Sequence, residues 1–384
     1  YPRYIKKLIA RKRCIWRQHR KYPNNQFLSE KYAAACMECK SAIERFEQYV
    51  EKRIIEANNS GQFFRYVNRK LGRSHDTGVL KDSDGQVIAD DAGKACLLNT
   101  YFNSINVVDD AACPAFQLRT DGRLDDVSFD ANAVRKHCNK MRPKFSSGPD
   151  GYPPFLLKQI GPSIAGIIAQ LFQSFMSIGR VPSDWKQAII KPLFKKGASS
   201  DPASYRPISL TSIFSKLMEK IIVEQMLKYL LTNNLISKQQ HGFLSRRSTA
   251  TNLIESLNDW TVKMENRQGQ SVAYIDFAKA FDSVSHPKLL TKLGAYGIGG
   301  VLLNWISDFL TGRSHVTRVG HCLSPIAFIT SGVIQGSCLG PLLFLLYIND
   351  LAEAISAVAT MKLYADDVKL YSNMPAVPTN ANVL

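Results

Sequence analysis

The sequence predicts an α+β fold, on three observations. Amphipathic helical stretches, such as residues 164–178, alternate with short β-type runs, such as residues 272–275 and 361–363. Elements interleaved in this way pack as mixed layers around a common core. Apolar side chains make up 45% of the 384 residues, ample for a packed interior in two or three folding units. The longest uninterrupted apolar run, residues 341–348, has the length of a buried element and not of a bilayer span, so no membrane-spanning segment is expected.

The chain divides by charge. Residues 1–73 hold 18 basic and 6 acidic side chains, whereas residues 74–130 hold 4 basic and 11 acidic. The first segment reads as a basic helical N-terminal extension. Nine Lys and Arg and no acid occupy residues 1–21, and a helical pattern runs to Leu71, punctuated at Pro23-Asn24-Asn25 and at Asn58-Asn59-Ser60-Gly61. Cys36, Cys39, Ile43, Phe46, Val50 and Ile54 recur at spacings of three and four, the mark of one apolar helical stripe. The CxxC of Cys36 and Cys39 therefore reads as part of that stripe, because no second pair or nearby His completes a zinc site. Arg11, Lys12 and Arg13, followed by Arg17, Arg20 and Lys21, read as an arm that grips RNA phosphates by charge; the plainer alternative is a solvated helical face.

Residues 74–130 are rich in Asp and Gly, with turn signals at Asp84-Gly85 and Asp121-Gly122. They read as an acidic, irregular connector around a short helix at residues 92–102, and no chemistry is expected of them. Residues 131–384 make up the α+β part. The formal net charge of +17 predicts a polyanionic partner, either nucleic acid or an anionic membrane surface. Eight scattered cysteines suit a reducing compartment, and nothing near Tyr1 has the form of a secretory signal. Residence in nucleus and cytoplasm is the expectation, for a chain that reads as a fragment.

Three carboxylates carry the chemistry. Met361-Lys362-Leu363-Tyr364-Ala365-Asp366-Asp367-Val368-Lys369-Leu370-Tyr371 reads as a hairpin with two aspartates at its tip, since Asp tolerates turn conformations. A second β-type run, Ser271-Val272-Ala273-Tyr274-Ile275, ends at Asp276 and is expected to pass into a helix near Phe277. If the two strands are neighbours, the carboxylates converge. Their mutual repulsion is best offset by hard divalent cations, and two such ions serve in-line phosphoryl transfer. An isolated Asp pair would more often be a plain turn, so the surrounding residues decide.

Those residues fall into blocks. In order they are Ser146-Ser147-Gly148-Pro149-Asp150-Gly151, Phe194-Lys195-Lys196-Gly197, Tyr205-Arg206-Pro207-Ile208-Ser209-Leu210, and His241-Gly242-Phe243 with residues 246–249. Then come Asp276-Phe277-Ala278-Lys279-Ala280-Phe281-Asp282, Gly332-Val333-Ile334-Gln335-Gly336-Ser337 and Tyr364-Ala365-Asp366-Asp367. The set resembles the reverse transcriptases of LINE-type (non-LTR) retrotransposons, in the jockey and chicken-repeat branch. A lone YADD is weak, but seven blocks in this order over about 220 residues are specific.

The resemblance implies a right-hand polymerase with fingers and palm. Such an enzyme copies an RNA template into DNA from a DNA primer and dNTPs, using two Mg2+ ions, with Mn2+ as a substitute. By this match Asp276 and Asp366 are the principal metal ligands and Asp367 completes the acidic cluster. Lys195 and Arg206 fall in the fingers, on the triphosphate, where fixed cations neutralise phosphate oxygens. Phe277 falls beside the nucleotide, and the ring of Phe281 beneath its sugar, where it would collide with a 2′-hydroxyl. Gln335 would touch nucleotide or template, and Gly336 would let backbone approach the nascent base pair. Arg246 and Arg247 read as phosphate contacts along the template.

Plainer readings stand beside these: surface charges for Lys195 and Arg206, a core ring on a helical Phe277, Phe281, Val284 stripe, and a solvated loop for the two arginines. Asp282 and Asp350 read as structural, Asp282 because it follows the expected helix start by too many residues to share a metal with Asp276. The family's endonuclease has no counterpart in residues 1–130, and its later palm blocks and thumb are not expected in the loose tail bearing Pro375 and Pro378. The rival to an active polymerase is a truncated remnant that only binds nucleic acid, against which Asp276, Asp366 and Asp367 all stand. An RNA-dependent RNA polymerase or an intron-encoded maturase is the second rival, and Phe281 argues against RNA synthesis.

Overall fold

The computed structural model describes residues 1–56, 63, 66–67, 77–107, 112–355 and 359–373. The expected break at Asn58-Asn59-Ser60-Gly61 and the tail with Pro375 and Pro378 lie outside the described residues. The chain forms two units, Tyr1–Gly78 and Val79–Leu384.

In the first unit, α1 (Arg3–Lys21) and α2 (Gln26–Glu56) fold back on each other. Their pairings run in opposite directions: Tyr1 meets Phe46 edge-on, Arg11 pairs with Glu38 at 3.3 Å, and His19 stacks on Tyr32. The turn falls where Pro23 stops the first helix, and His19, Arg20 and Lys21 in the last turn favour the negative end of its dipole. Ile5, Ile15, Ala35, Cys39 and Ala42 are buried in the seam. Cys36 and Cys39 are free thiols on α2, the second fully inside, in keeping with the apolar stripe.

The second unit begins with β1 (Leu80–Lys81) paired to β2 (Val87–Ile88) across the Asp84-Gly85 turn. Helix Asp91–Ser104 follows, capped by Asp90, whose carboxylate accepts from the Gly93 amide at 2.7 Å. Eight strands come next in chain order: β3 (Gln187–Phe194), β4 (Tyr205–Leu210), β5 (Gln270–Asp276), β6 (Arg313–Val319), β7 (Cys322–Leu323), β8 (Ala327–Ile329), β9 (Thr360–Tyr364) and β10 (Asp367–Asn373). One sheet has the order β4-β3-β6-β7 with β8 also on β6; the other has the order β5-β10-β9. Helix Asp91–Ser104 buries Ala95, Leu98 and Phe102 against Leu80, Ile190, Tyr205 and Val319. Much of the presumed connector is therefore packed structure that covers the first sheet.

Helix Ile213–Thr232 is the spine of the main core. Ser212 caps its start, and Leu217, Met218, Ile221, Ile222, Met226 and Leu230 are buried at helical spacing. Helix Gly340–Ile348 is apolar on every side and buried, as its sequence required. Among the described residues no single helix is long and apolar enough to cross a membrane; Pro154–Ile160 and Ala165–Ile178 reach that composition only as a pair bent by 116°.

The second sheet is backed by helix Thr249–Glu265 through polar contacts. Lys369 donates to Asn252 and Ser256, Lys362 donates to Glu255, and the Tyr371 hydroxyl donates to Asp259. Both buried lysines thus have acceptors, which is the condition for placing them inside.

The helix expected from Phe277 does not form. Residues 278–283 are successive turns, with Lys279 at φ +52° and its carbonyl accepting from the amides of Asp282 and Ser283. The helix starts instead at His286, where Ser285 caps it and Pro287 lies in the first turn. The helical stripe supposed for Phe277, Phe281 and Val284 lapses with it.

Candidate active site

β9 and β10 are joined by the two-residue turn Ala365-Asp366, with Asp367 paired to Tyr364 across it. The left-handed residue is Ala365, at φ +57°, and neither aspartate takes that conformation. Asp367 opens β10 directly opposite Asp276, the last residue of β5. Antiparallel pairing thereby brings one carboxylate from each strand, and Asp366 from the turn, to the same end of the sheet.

Asp366 is half-buried, whereas Asp276 and Asp367 are exposed. Burial raises the Asp366 carboxyl above its ordinary range, and repulsion from Asp367 and Asp276 adds to this; its own backbone amide and the charge of Lys195 pull the other way. Among the described residues no three His, Cys, Asp or Glu side chains close into a metal cage. Mg2+ does not require one, since it binds through one or two carboxylates, water and substrate phosphates. An all-oxygen donor set whose members repel one another fits such a hard cation.

Asp276 and Asp366 line a cleft of about 470 Å³ together with Lys195, Arg206, Phe277, Phe281 and Gln335. Its size is ordinary for a small-molecule site. Lys195 and Arg206 come from the β3–β4 hairpin, where Arg206 stands opposite Leu193 and the Lys195 amide donates to the Ser204 carbonyl at 2.8 Å. Both side chains are exposed. Tyr101, Ile105, Phe243, Lys279 and Asp282 line the same cleft and were not anticipated from sequence. Phe243 stood within a recognised block, whereas Tyr101 lay in the presumed connector, with no local signal to mark it. The Lys279 ammonium lies over the Tyr101 ring, 4.8 Å from its centroid.

The Phe281 ring stacks on Phe344 with centroids 4.2 Å apart and meets Phe243 edge-on. It is both a cleft wall and a partner of the core. Gln335 is engaged within the chain: its Nε2 donates to both carboxylate oxygens of Asp282 at 2.8 Å. Burial pushes the Asp282 carboxyl up to about 6, against the opposing effects of Gln335 and Lys279. Asp282 therefore belongs to the cleft, although its sequence position had set it aside. Gly336, at φ +115°, packs against β4: a Cβ there would lie 2.5 Å from the Ser209 carbonyl oxygen. Its backbone approach is to this strand. The following backbone is held by fully buried Glu219, whose Oε2 accepts from the amides of Cys338 and Leu339.

Arg246 and Arg247, the template contacts expected within this unit, do not line the cleft. Arg246 is exposed at φ +64°, and Arg247 donates to the Lys238 and Gln240 carbonyls, so its guanidinium ties down its own loop. Arg11, Lys12 and Arg13 lie on α1 in the other unit, with Arg11 on Glu38 and Arg13 in a shallow groove with Lys6 and Arg17. Asp350 accepts from Lys292 at 2.6 Å, a structural ion pair.

Residues 193–381 match the family profile described as reverse transcriptase (RNA-dependent DNA polymerase). The chain is 28% identical over 254 residues to the RNA-directed DNA polymerase from mobile element jockey of Drosophila funebris, across 64% of this chain and 27% of that protein. Its counterpart in Drosophila melanogaster is 31% identical over 217 residues, 55% of this chain and 24% of that protein. A Pol polyprotein from the type-1 retrotransposable element R1 of Bradysia coprophila is 26% identical over 345 residues, 86% of this chain and 32% of that protein. The chain thus spans a quarter to a third of the length of these curated relatives. With the ordered blocks and the acidic hairpin, these matches make residues 193–381 a reverse transcriptase domain, similar to the RNA-directed DNA polymerases of LINE-type retrotransposons.

Proposed function

We propose that this chain extends a DNA primer on an RNA template by nucleotidyl transfer, as the polymerase portion of a LINE-type element. One observation carries the reading: Asp276 and Asp366 share a cleft with Lys195 and Arg206, so carboxylates suited to metal ions and cations suited to phosphate line the same space. In this reading the sheet β5-β10-β9 is the palm, and the β3–β4 hairpin belongs to the fingers.

Asp276 and Asp366 would hold two divalent cations, with Asp367 beside them. When bound, such ions lower the pKa of an attacking hydroxyl and neutralise the reacting phosphate. Lys195 and Arg206 hold the triphosphate, Arg206 through its planar fork of donors. Phe281, backed by Phe344, forms the floor beneath the sugar and excludes a 2′-hydroxyl. Gln335 keeps Asp282 hydrogen-bonded at the cleft wall and braces the loop before helix Gly340–Ile348. The basic face of α1, with Arg11, Lys12 and Arg13, grips RNA phosphates, and exposed Arg246 contacts the template backbone.

The test is dNTP incorporation by the purified chain on an RNA template with an annealed DNA primer, beside Asp366→Ala and a reaction supplied only with NTPs. Extension by the parent that needs Mg2+, vanishes in Asp366→Ala and is absent with NTPs is the expected result. Folded protein that binds the primed template without extending it would favour a nucleic-acid-binding remnant.

A further inference from the structure

Gln240 is almost wholly buried, with 1% of its surface exposed, yet its amide is spent on the turn that carries Asp366. Its Oε1 accepts from the backbone amides of Ala365 at 2.9 Å and Gly242 at 2.7 Å, and its Nε2 donates to the Ala365 carbonyl at 3.5 Å. The backbone beside it grips the same hairpin. Gln240 bridges Leu363 in parallel, the His241 amide donates to the Leu363 carbonyl at 2.8 Å, and the Leu363 amide donates to the Gln239 carbonyl at 2.9 Å. Gly242 completes the seat, since a Cβ there would lie 2.3 Å from the Ala365 nitrogen.

Ala365 sits at φ +57°, a conformation unfavourable for a residue with a Cβ, so something outside the turn must hold it. The amide of Ala365 is buried, and Gln240 is its acceptor. A side chain that satisfies both polar backbone groups of one residue restrains that peptide on both sides.

We infer that Gln240 is a positioning residue for Asp366: by clamping both backbone polar groups of Ala365 it sets the direction in which the next carboxylate leaves the turn. The inference rests on the polymerase reading of the cleft. Gln240 acts on Asp366 through the backbone of Ala365.

The experiment uses the full chain and three substitutions at Gln240. Gln240→Leu keeps the volume but removes the acceptor, and Gln240→Asn keeps the amide but ends one methylene short of Ala365. Gln240→Glu retains an acceptor for both amides but loses the donor to the Ala365 carbonyl, and so separates the two halves of the clamp. Mn2+ binding is followed by electron paramagnetic resonance, with Asp366→Ala defining the contribution of this site, and primer extension and thermal melting are measured alongside. Gln240→Leu is expected to weaken Mn2+ binding at the site about 10-fold and to lower kcat by a similar factor, with KM for dNTP within about 2-fold. Gln240→Asn should move the same way, and Gln240→Glu should recover only part of the loss. A merely structural role would lower the melting temperature and leave Mn2+ affinity of the folded protein unchanged. Parent-like Mn2+ affinity and kcat in a folded Gln240→Leu or, should that variant not fold, in Gln240→Asn would overturn the inference. A parent that binds Mn2+ but does not extend leaves the metal measurement to decide; a parent that does neither overturns the polymerase reading and this inference with it.

Discussion

Asp367 faces Asp276 directly across the β5–β10 ladder, while Asp366, one residue earlier, leaves the turn into the cleft. Adjacent aspartates thus have different surroundings: Asp366 is half-buried with Asp276 in the cleft wall, and Asp367 is exposed outside it. Under the proposed mechanism the two are not equivalent. Asp366→Asn should reduce primer extension on the order of 100-fold, and Asp367→Asn only about 10-fold, with primed-template binding retained in both. Single-turnover extension gives the ranking, and equal losses would contradict the asymmetry.

Asp282 links the cleft to stability. Its carboxyl titrates at about 6 in the folded chain against an ordinary value of 3.8, so the folded state holds that proton more tightly than the unfolded one. The contribution is fully present below the unfolded value and is lost as pH rises through about 6. It amounts to at most about 3 kcal/mol, because the side chain keeps some access to solvent. Asp282→Asn keeps an acceptor for Gln335 and cannot ionise. The urea midpoint of this variant should gain on the parent between about pH 4 and about pH 6.5 and stay level above that. A difference that does not change with pH would show that the carboxyl is not held protonated by burial.

Gly242 tests how tightly the acidic hairpin is seated. A Cβ there meets the Ala365 nitrogen at 2.3 Å and its Cα at 3.0 Å, both backbone atoms that cannot swing aside. Gly242→Ala should cost about 1–3 kcal/mol in denaturant unfolding and depress primer extension with it. Gly166→Ala is the contrast, because nothing lies within 4 Å of a Cβ at that helical position. It should be neutral or stabilising by up to about 1 kcal/mol.

These contacts show what was legible in the sequence and what was not. The burial of residues 341–348 and the strands ending in Asp276 and flanking Asp366 follow from local pattern, since periodicity and turn chemistry act over a few residues. The expected helix at Phe277 fails at one backbone angle, the positive φ of Lys279, which no period encodes. Gln335 and Gly336 were read toward substrate, yet their partners are Asp282, 53 positions away, and the carbonyl of Ser209. Arg247 likewise spends its guanidinium on backbone carbonyls that only the folded loop brings near. Residues 77–107 looked like a connector because the strands that Leu98 and Phe102 cover are built from sequence far downstream.

Phe281 offers the last test, and it separates a floor for the sugar from a plain core ring. Stacking on Phe344 at an interplanar angle of 14° fixes one face, and edge contact with Phe243 limits its tilt, so the ring is a rigid wall of the cleft. A rigid wall discriminates sterically, because relief of a clash cannot come from side-chain motion. Phe281→Val opens the space beneath the sugar and removes the stack, at a stability cost of about 1–3 kcal/mol. If the ring excludes a 2′-hydroxyl, the ratio of kcat/KM for dNTP over NTP should fall at least about 10-fold, mostly through better use of NTP. If the ring serves only the core, both substrates should lose activity together as the protein loosens, and the ratio should stay where it was.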